Sequence, residues 1–214
     1  PKTLPMMEVI VTHFKPFFLG MLICIAGYVL FYIMIAFSQI YAKSAPTVSE
    51  AGYAMGLGFS PQIFTALLMC SAISLAITIA ISGKYIDIVG RRIWLIWTTV
   101  GVALFGLVLP YFLENGTTLS LFWFLIIGMG LIGMGYGPLA SFLPELFPTH
   151  ARYSGASLTY NIAGLFGASV AAIIALPLNA NYGLKGVGIY LTLNAVLSLI
   201  GLWFITETRD RQLL

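Results

Sequence analysis

Six stretches of this chain are apolar over the length of a bilayer crossing. They run roughly over 17–41, 60–83, 93–113, 119–143, 153–178 and 186–206, and none holds a Lys, Arg, Asp or Glu in its central portion. A hydrocarbon core about 30 Å thick is crossed by about 20 helical residues. In lipid every backbone polar group must find its partner within the structure. The pattern therefore predicts an all-α membrane protein with six transmembrane helices. Composition closes the alternatives: 60% of residues are hydrophobic and 8% charged, against about a quarter charged in soluble domains. Intrinsic disorder, a secreted soluble domain and a polybasic nucleic-acid binder are all excluded. Cys24 and Cys70 fall inside apolar runs and read as buried thiols used as small apolar side chains.

The bundle is expected over 17–206, after a lead-in at 1–16 and before a tail at 207–214. The chain opens on Pro1, and its first fifteen residues lack a signal peptide's short apolar run and cleavage site; a fragment of a longer protein is expected. Basic residues set the orientation. Lys2, Lys15, Lys84, Arg91, Arg92, Arg152, Arg209 and Arg211 fall on one side, and Lys43 and Lys185 on the other. Positive charge stays inside, which puts both termini in the cytoplasm. The long outer connection at 42–59 reads as mobile from its Gly and Ser content, and 179–185 reads as a second outer loop.

Two segments carry most of the information. The connection between spans two and three reads Gly83-Lys-Tyr-Ile-Asp87-Ile-Val-Gly90-Arg91-Arg92. Gly83 lets a helix end and turn, Asp87 lies near the start of the next helix and pairs with Arg91, and Gly90 allows a second bend. Between spans four and five the chain runs from Gly133 through Gly137-Pro138 and Pro144-Glu145-Leu-Phe-Pro148 to Arg152-Tyr-Ser-Gly155. Proline removes a backbone donor and clashes with the preceding turn, so Gly137 and Pro138 are expected to break span four and serve as a hinge.

The first segment resembles the signature loop G-x-x-x-D-x-x-G-R-R of the major facilitator superfamily. The string P-E-L-F-P-T-x-x-R-Y-S-G is similar to the region between spans ten and eleven in its metabolite:proton symporter branch, which includes proline/betaine, shikimate, citrate and 2-oxoglutarate carriers. The tail Thr206-Glu207-Thr208-Arg209 resembles the end of span twelve, without its proline. The resemblance implies the C-terminal half of that fold, spans seven to twelve, with a missing N-terminal six-span half. Doubling gives a parent of about 430 residues. It also implies a salt-bridge network closing the cytoplasmic side, formed by Asp87, Arg91, Arg92, Glu145, Arg152 and Glu207, with Gly83 and Gly90 shaping the signature loop. The implied function is alternating-access transport of a small polar or anionic metabolite across a bacterial inner membrane, with a coupled proton.

Substrate contacts are expected from polar and aromatic groups at mid-depth. Tyr28, Tyr32 and Gln39 on span one, Tyr136 on span four, and Tyr160 and Asn161 on span five are the candidates. Tyr28 and Tyr32 share a face at i, i+4. Asn161 stands out because an unpaired amide in an apolar span is costly. Ser71, Ser74 and Thr78 are expected to bond back to their own helix. His13 and His150 lie outside the spans and read as surface groups. No acidic or basic residue marks the midplane, so a coupling carboxylate belongs in the other half. No cofactor, metal site or catalytic residue is expected. A sugar-porter-like carrier or an exporter of the same fold is the alternative. A six-span channel lacks its filter and half-helix motifs here, an intramembrane protease lacks its Ser–His pair, and an ATP-driven pump lacks its nucleotide loop.

Overall fold

The computed structural model describes residues 5–206. The described chain is helical, with one isolated two-residue bridge, Val48 to Ala54, as its extended pairing. A short helix α1 (Pro5–Thr12) leads into α2 (Phe14–Lys43), α3 (Pro61–Val89), α4 (Arg91–Glu114) and α5 (Thr118–Glu145). The final helical run, Arg152–Phe204, spans 53 residues. At about 1.5 Å per residue it far exceeds one bilayer crossing. It reverses at Gly183, whose φ of 67° and ψ of −170° interrupt the helix. We number the two parts α6 (152–182) and α7 (184–204). With α2 to α5 they make six spans.

The ends are set by local chemistry. Ser60 caps α3, its hydroxyl accepting from the Ile63 N–H, with Pro61 in the first turn. Thr117 caps α5 by accepting from the Ser120 N–H. The expected outer loop at 179–185 proves to be a one-residue reversal. Asn179 sits inside α6, fully buried, and its amide donates to the Ala54 carbonyl at 3.1 Å. The expected mobile connection is tied down at both ends. The amides of Leu57, Gly58 and Phe59 donate to Tyr41, Ser44 and Ala42, and the Ser49 hydroxyl donates to Ala180 O at 2.7 Å. Small polar residues there satisfy backbone groups instead of loosening the chain.

The core forms where α2 packs against α5, α6 and α7, and α4 against α5 and α7. Ser198 of α7 enters the α2 backbone ladder: its hydroxyl donates to Leu22 O at 2.6 Å and accepts from the Ala26 N–H at 3.1 Å. A single side chain thereby bridges one turn of α2 and ties two helices together. Thr192 likewise donates to Ala103 O of α4. The α3 helix stands apart. Its most apolar window is 11% buried, against 56% for that of α2, and it packs chiefly on α5.

That α3–α5 seam is built from small residues. A Cβ on Gly133 would stand 2.1 Å from Thr78 Oγ1 and 2.5 Å from Leu75 O, and one on Gly137 would stand 2.3 Å from Ser82 Oγ. Ser74 donates across the seam to Ile126 O at 3.0 Å, whereas Ser71 and Thr78 bond within α3 as expected. Close backbone approach through small residues is how helices associate where lipid supplies no hydrophobic drive.

Pro138 does not break α5, which runs continuously through it. Its missing N–H leaves the Met134 carbonyl without the normal i+4 donor. The Trp94 indole N–H of α4 donates to that carbonyl at 2.9 Å. The proline thus serves as a docking point for α4, and the expected break in span four is corrected.

Candidate functional site: a phenol-lined cavity and a charged end

The charged end of the bundle is organised by Gly90. It alone separates α3 from α4, with φ 101° and ψ 138°, a region that L side chains rarely adopt. The expected turn at Gly83 is absent: α3 continues to Val89, and a Cβ on Gly83 would meet nothing within 4 Å. Asp87 consequently lies in the last turn of α3, not at the start of the next helix. Arg91 Nη2 stands 3.4 Å from Asp87 Oδ1, and Arg91 Nη1 pairs with Glu145 Oε1 at the end of α5. The Arg91 and Glu145 side chains are 18% and 15% exposed, and Asp87 69%. One half-buried arginine therefore joins three helices.

Arg92 faces elsewhere. Its Nε donates to Leu202 O at 2.8 Å and its Nη2 to Trp203 O at 3.1 Å. A cation there satisfies the last carbonyls of α7 and the negative end of its dipole. Arg152, at the start of α6, contacts Thr149 Oγ1 at 3.4 Å. Its Nε is buried without a hydrogen-bond partner among the described residues. Glu207 lies outside the described residues.

Inside the bundle a cavity of about 280 Å³ lies among α2, α3, α4, α5 and α6. Its walls are mostly aliphatic, with Tyr28, Tyr136 and Tyr160 supplying the aromatic and polar surface and Cys24, Thr98 and Thr99 adding small polar groups. The Tyr28 and Tyr160 rings are 4.9 Å apart, and the Tyr160 phenol interacts with those of both Tyr28 and Tyr136. A second cavity of about 610 Å³ continues between α5 and α6 toward the charged end. It shares Tyr136, Leu139 and Tyr160 with the first and reaches Pro144, Thr149 and Arg152.

Two π-helical turns flank this region, Ile33–Phe37 in α2 and Leu165–Ser169 in α6. Such turns re-aim side chains and recur at functional sites. Just before the second, Gly164 lies against the Tyr28 ring, and a Cβ on Gly167 would stand 2.7 Å from Tyr28 Cβ. The backbone of α6 thereby holds Tyr28 toward Tyr160.

The expected substrate residues separate into two groups. Tyr28, Tyr136 and Tyr160 come together in the cavity. Tyr32 instead donates to Ala172 O of α6 at 3.3 Å. Gln39 is exposed near the far end of α2, and Asn161 is exposed with its amide donating to Ser157 O of its own helix at 2.8 Å. Cys24 is buried and lines the cavity, while Cys70 is exposed on α3, against expectation. Thr98 and Thr99 escaped the sequence reading; adjacent hydroxyls in an apolar span were the available signal. Each bonds back to its own helix.

An all-α integral membrane bundle of six spans, two ends unlike in charge, is the class these features define. Residues 53–214 match the family described as sugar (and other) transporter. A Haemophilus influenzae protein named "Putative metabolite transport protein" is 90% identical over 213 residues, covering 100% of this chain and 48% of its own length. The inner membrane metabolite transport protein YhjE of Escherichia coli K12 is 38% identical over 211 residues, covering 98% of this chain and 46% of its own. The proline/betaine transporter of Salmonella typhimurium is 26% identical over 208 residues, covering 96% and 39%. No solved structure matches the chain. The chain belongs to the sugar (and other) transporter family of the major facilitator superfamily. It spans about half the length of these curated relatives, each of which is named for transport.

Proposed function

We propose that this chain is the C-terminal half of a secondary active transporter. The full-length protein moves a small polar or anionic metabolite across a bacterial inner membrane by alternating access, with a coupled proton, and the charged end faces the cytoplasm. The observation that carries this reading is the phenol-lined cavity continuing past Tyr136 and Tyr160 to Arg152. Phenol hydroxyls donate to a carboxylate, and aromatic faces attract an alkylated ammonium. A zwitterion with both groups suits such a lining.

The half-buried Arg91–Glu145 pair, with Asp87, supports a closure at the cytoplasmic end. Ion pairs that lose part of their hydration are specific in geometry yet modest in net energy, which lets a closed state reopen. Gly137 and Pro138 belong to the same scheme as the point where α5 is held against α3 and Trp94, so that the α3–α5 pair moves as one body. The described spans hold no midplane carboxylate, so proton coupling falls to the other half.

Uptake into proteoliposomes by the full-length protein tests this. Labelled proline, betaine, shikimate, 2-oxoglutarate and citrate are each offered with and without an inward proton gradient. Saturable, uncoupler-sensitive uptake of one compound is the expected result. Gradient-independent exchange, or no uptake of any of the five compounds, would remove the proton-coupled metabolite reading.

A further inference from the structure

We propose that Glu8, His13 and His150 form a binding site for a divalent transition-metal ion, Zn²⁺ by ligand chemistry, that staples α1 to the connection between α5 and α6. The proposal is independent of the transport reading. One ligand atom from each of the three residues lies within 4.8 Å of the other two. His150 Nε2 stands 2.9 Å from Glu8 Oε1, and the two imidazole rings are 6.3 Å apart between centroids.

Glu8 and His13 lie five residues apart at the α1–α2 junction and His150 lies in the α5–α6 connection, and contacts other than those of the trio hold the two segments together. Glu8 sits on α1 beside Val9, which is fully buried in one cluster with Phe147 and Ala151. His13 is the junction between α1 and α2: its N–H donates to Val9 O at 3.0 Å, and its carbonyl accepts from the Phe17 N–H at 3.1 Å. His150 lies in a turn closed by the Ala151 N–H donating to Pro148 O at 3.0 Å. Packing therefore brings the two segments that carry the ligands together before any ion arrives.

Two imidazoles and one carboxylate suit Zn²⁺, with a fourth position left for water. Mg²⁺ and Ca²⁺ prefer all-oxygen sites. The connection that holds His150 starts at Glu145 and ends at Arg152. An ion bound here restrains the segment between those two charged residues.

The test uses the full-length protein, stripped with a chelator and titrated with Zn²⁺ against a competing chromophoric chelator. The expected result is saturable binding that weakens at least about tenfold in His13→Ala and in His150→Ala and survives in His150→Cys, since a thiolate also ligates Zn²⁺. Co²⁺ substituted at the site should give the absorption of a low-symmetry, tetrahedral ion. Two results would overturn the proposal. One is no saturable Zn²⁺ binding by the unmodified protein. The other is binding unchanged by the two alanine variants, even where Glu8→Gln lowers the unfolding temperature; the trio would then be a hydrogen-bonded tie alone. Gel filtration of each variant separates loss of ligands from loss of fold.

Discussion

The α3–α5 seam and the α2–α6 seam lie on either side of the same cavity, and their glycines face different partners. Along α3–α5, glycines face serine and threonine, and no room remains for a methyl group at Gly133. Along α2–α6, Gly164 and Gly167 meet the aromatic Tyr28 instead, both helices carry a π turn, and a cavity remains. Small residues give contact at short range with few rotamers to choose among. Aromatic residues give area, a polar tip and space between rings. The first seam suits a rigid pair of helices, and the second suits a surface that contacts a solute.

Gly133→Leu should break the rigid seam outright. Its Cβ would meet the Leu75 carbonyl and Thr78 Oγ1, a backbone clash costing about 3 kcal/mol or more. Loss of monodisperse full-length protein is expected, and unchanged yield and unfolding temperature would refute the packing account. At the charged end of that seam, Glu145→Gln leaves Arg91 with Asp87 alone. A cost of about 1–3 kcal/mol is expected for a partly buried pair, read by thermal unfolding. Exchanging the two residues, Arg91→Glu with Glu145→Arg, should recover part of it.

The two signature glycines should respond differently. Gly90→Ala places a side chain at φ 101° and should cost about 1–3 kcal/mol. Gly83→Ala lies in an exposed helical stretch with open space and should be neutral, or stabilising by up to about 1 kcal/mol. Equal losses would mean that Gly83 has a contact outside this chain. In the aromatic seam, Tyr160→Phe removes one hydroxyl between Tyr28 and Tyr136. Uptake should fall several-fold, equivalent to about 0.5–1.5 kcal/mol, with the unfolding temperature unmoved. The same assay on Asn161→Ala asks whether that exposed amide meets the solute or only its own helix.

The spans were legible because lipid leaves so little choice: long apolar runs become helices, and periodic charge ends them. Helix ends were less so. Gly83 and Gly90 look equivalent in sequence, yet only Gly90 adopts a positive φ, and Gly83 lies within the continuous helix α3. Pro138 read as a break because its effect on its own helix is local, while the remedy, the Trp94 indole, lies on another helix. Ser198 bonds into the α2 ladder for the same non-local reason. Of the residues picked by type and depth, Tyr28, Tyr136 and Tyr160 line the cavity, and Tyr32, Gln39 and Asn161 do not. Arg92 was grouped with Arg91 by adjacency, but successive helical residues point about 100° apart, and its guanidinium reaches the end of α7.

We propose that breaking the Arg91–Glu145 tie opens the charged end beyond the passage that the α5–α6 cavity already leaves, and so exposes Tyr160. The direct measurement is the labelling rate of Tyr160→Cys by a membrane-impermeant thiol reagent applied from the charged end. It is made in full-length protein whose other cysteines are serine. Slower labelling with Glu145 present, and labelling accelerated several-fold by Glu145→Gln at a temperature where both proteins remain folded, is the predicted result. Equal rates with and without the ion pair would contradict the account and leave Arg91 and Glu145 as a structural tie between α4 and α5.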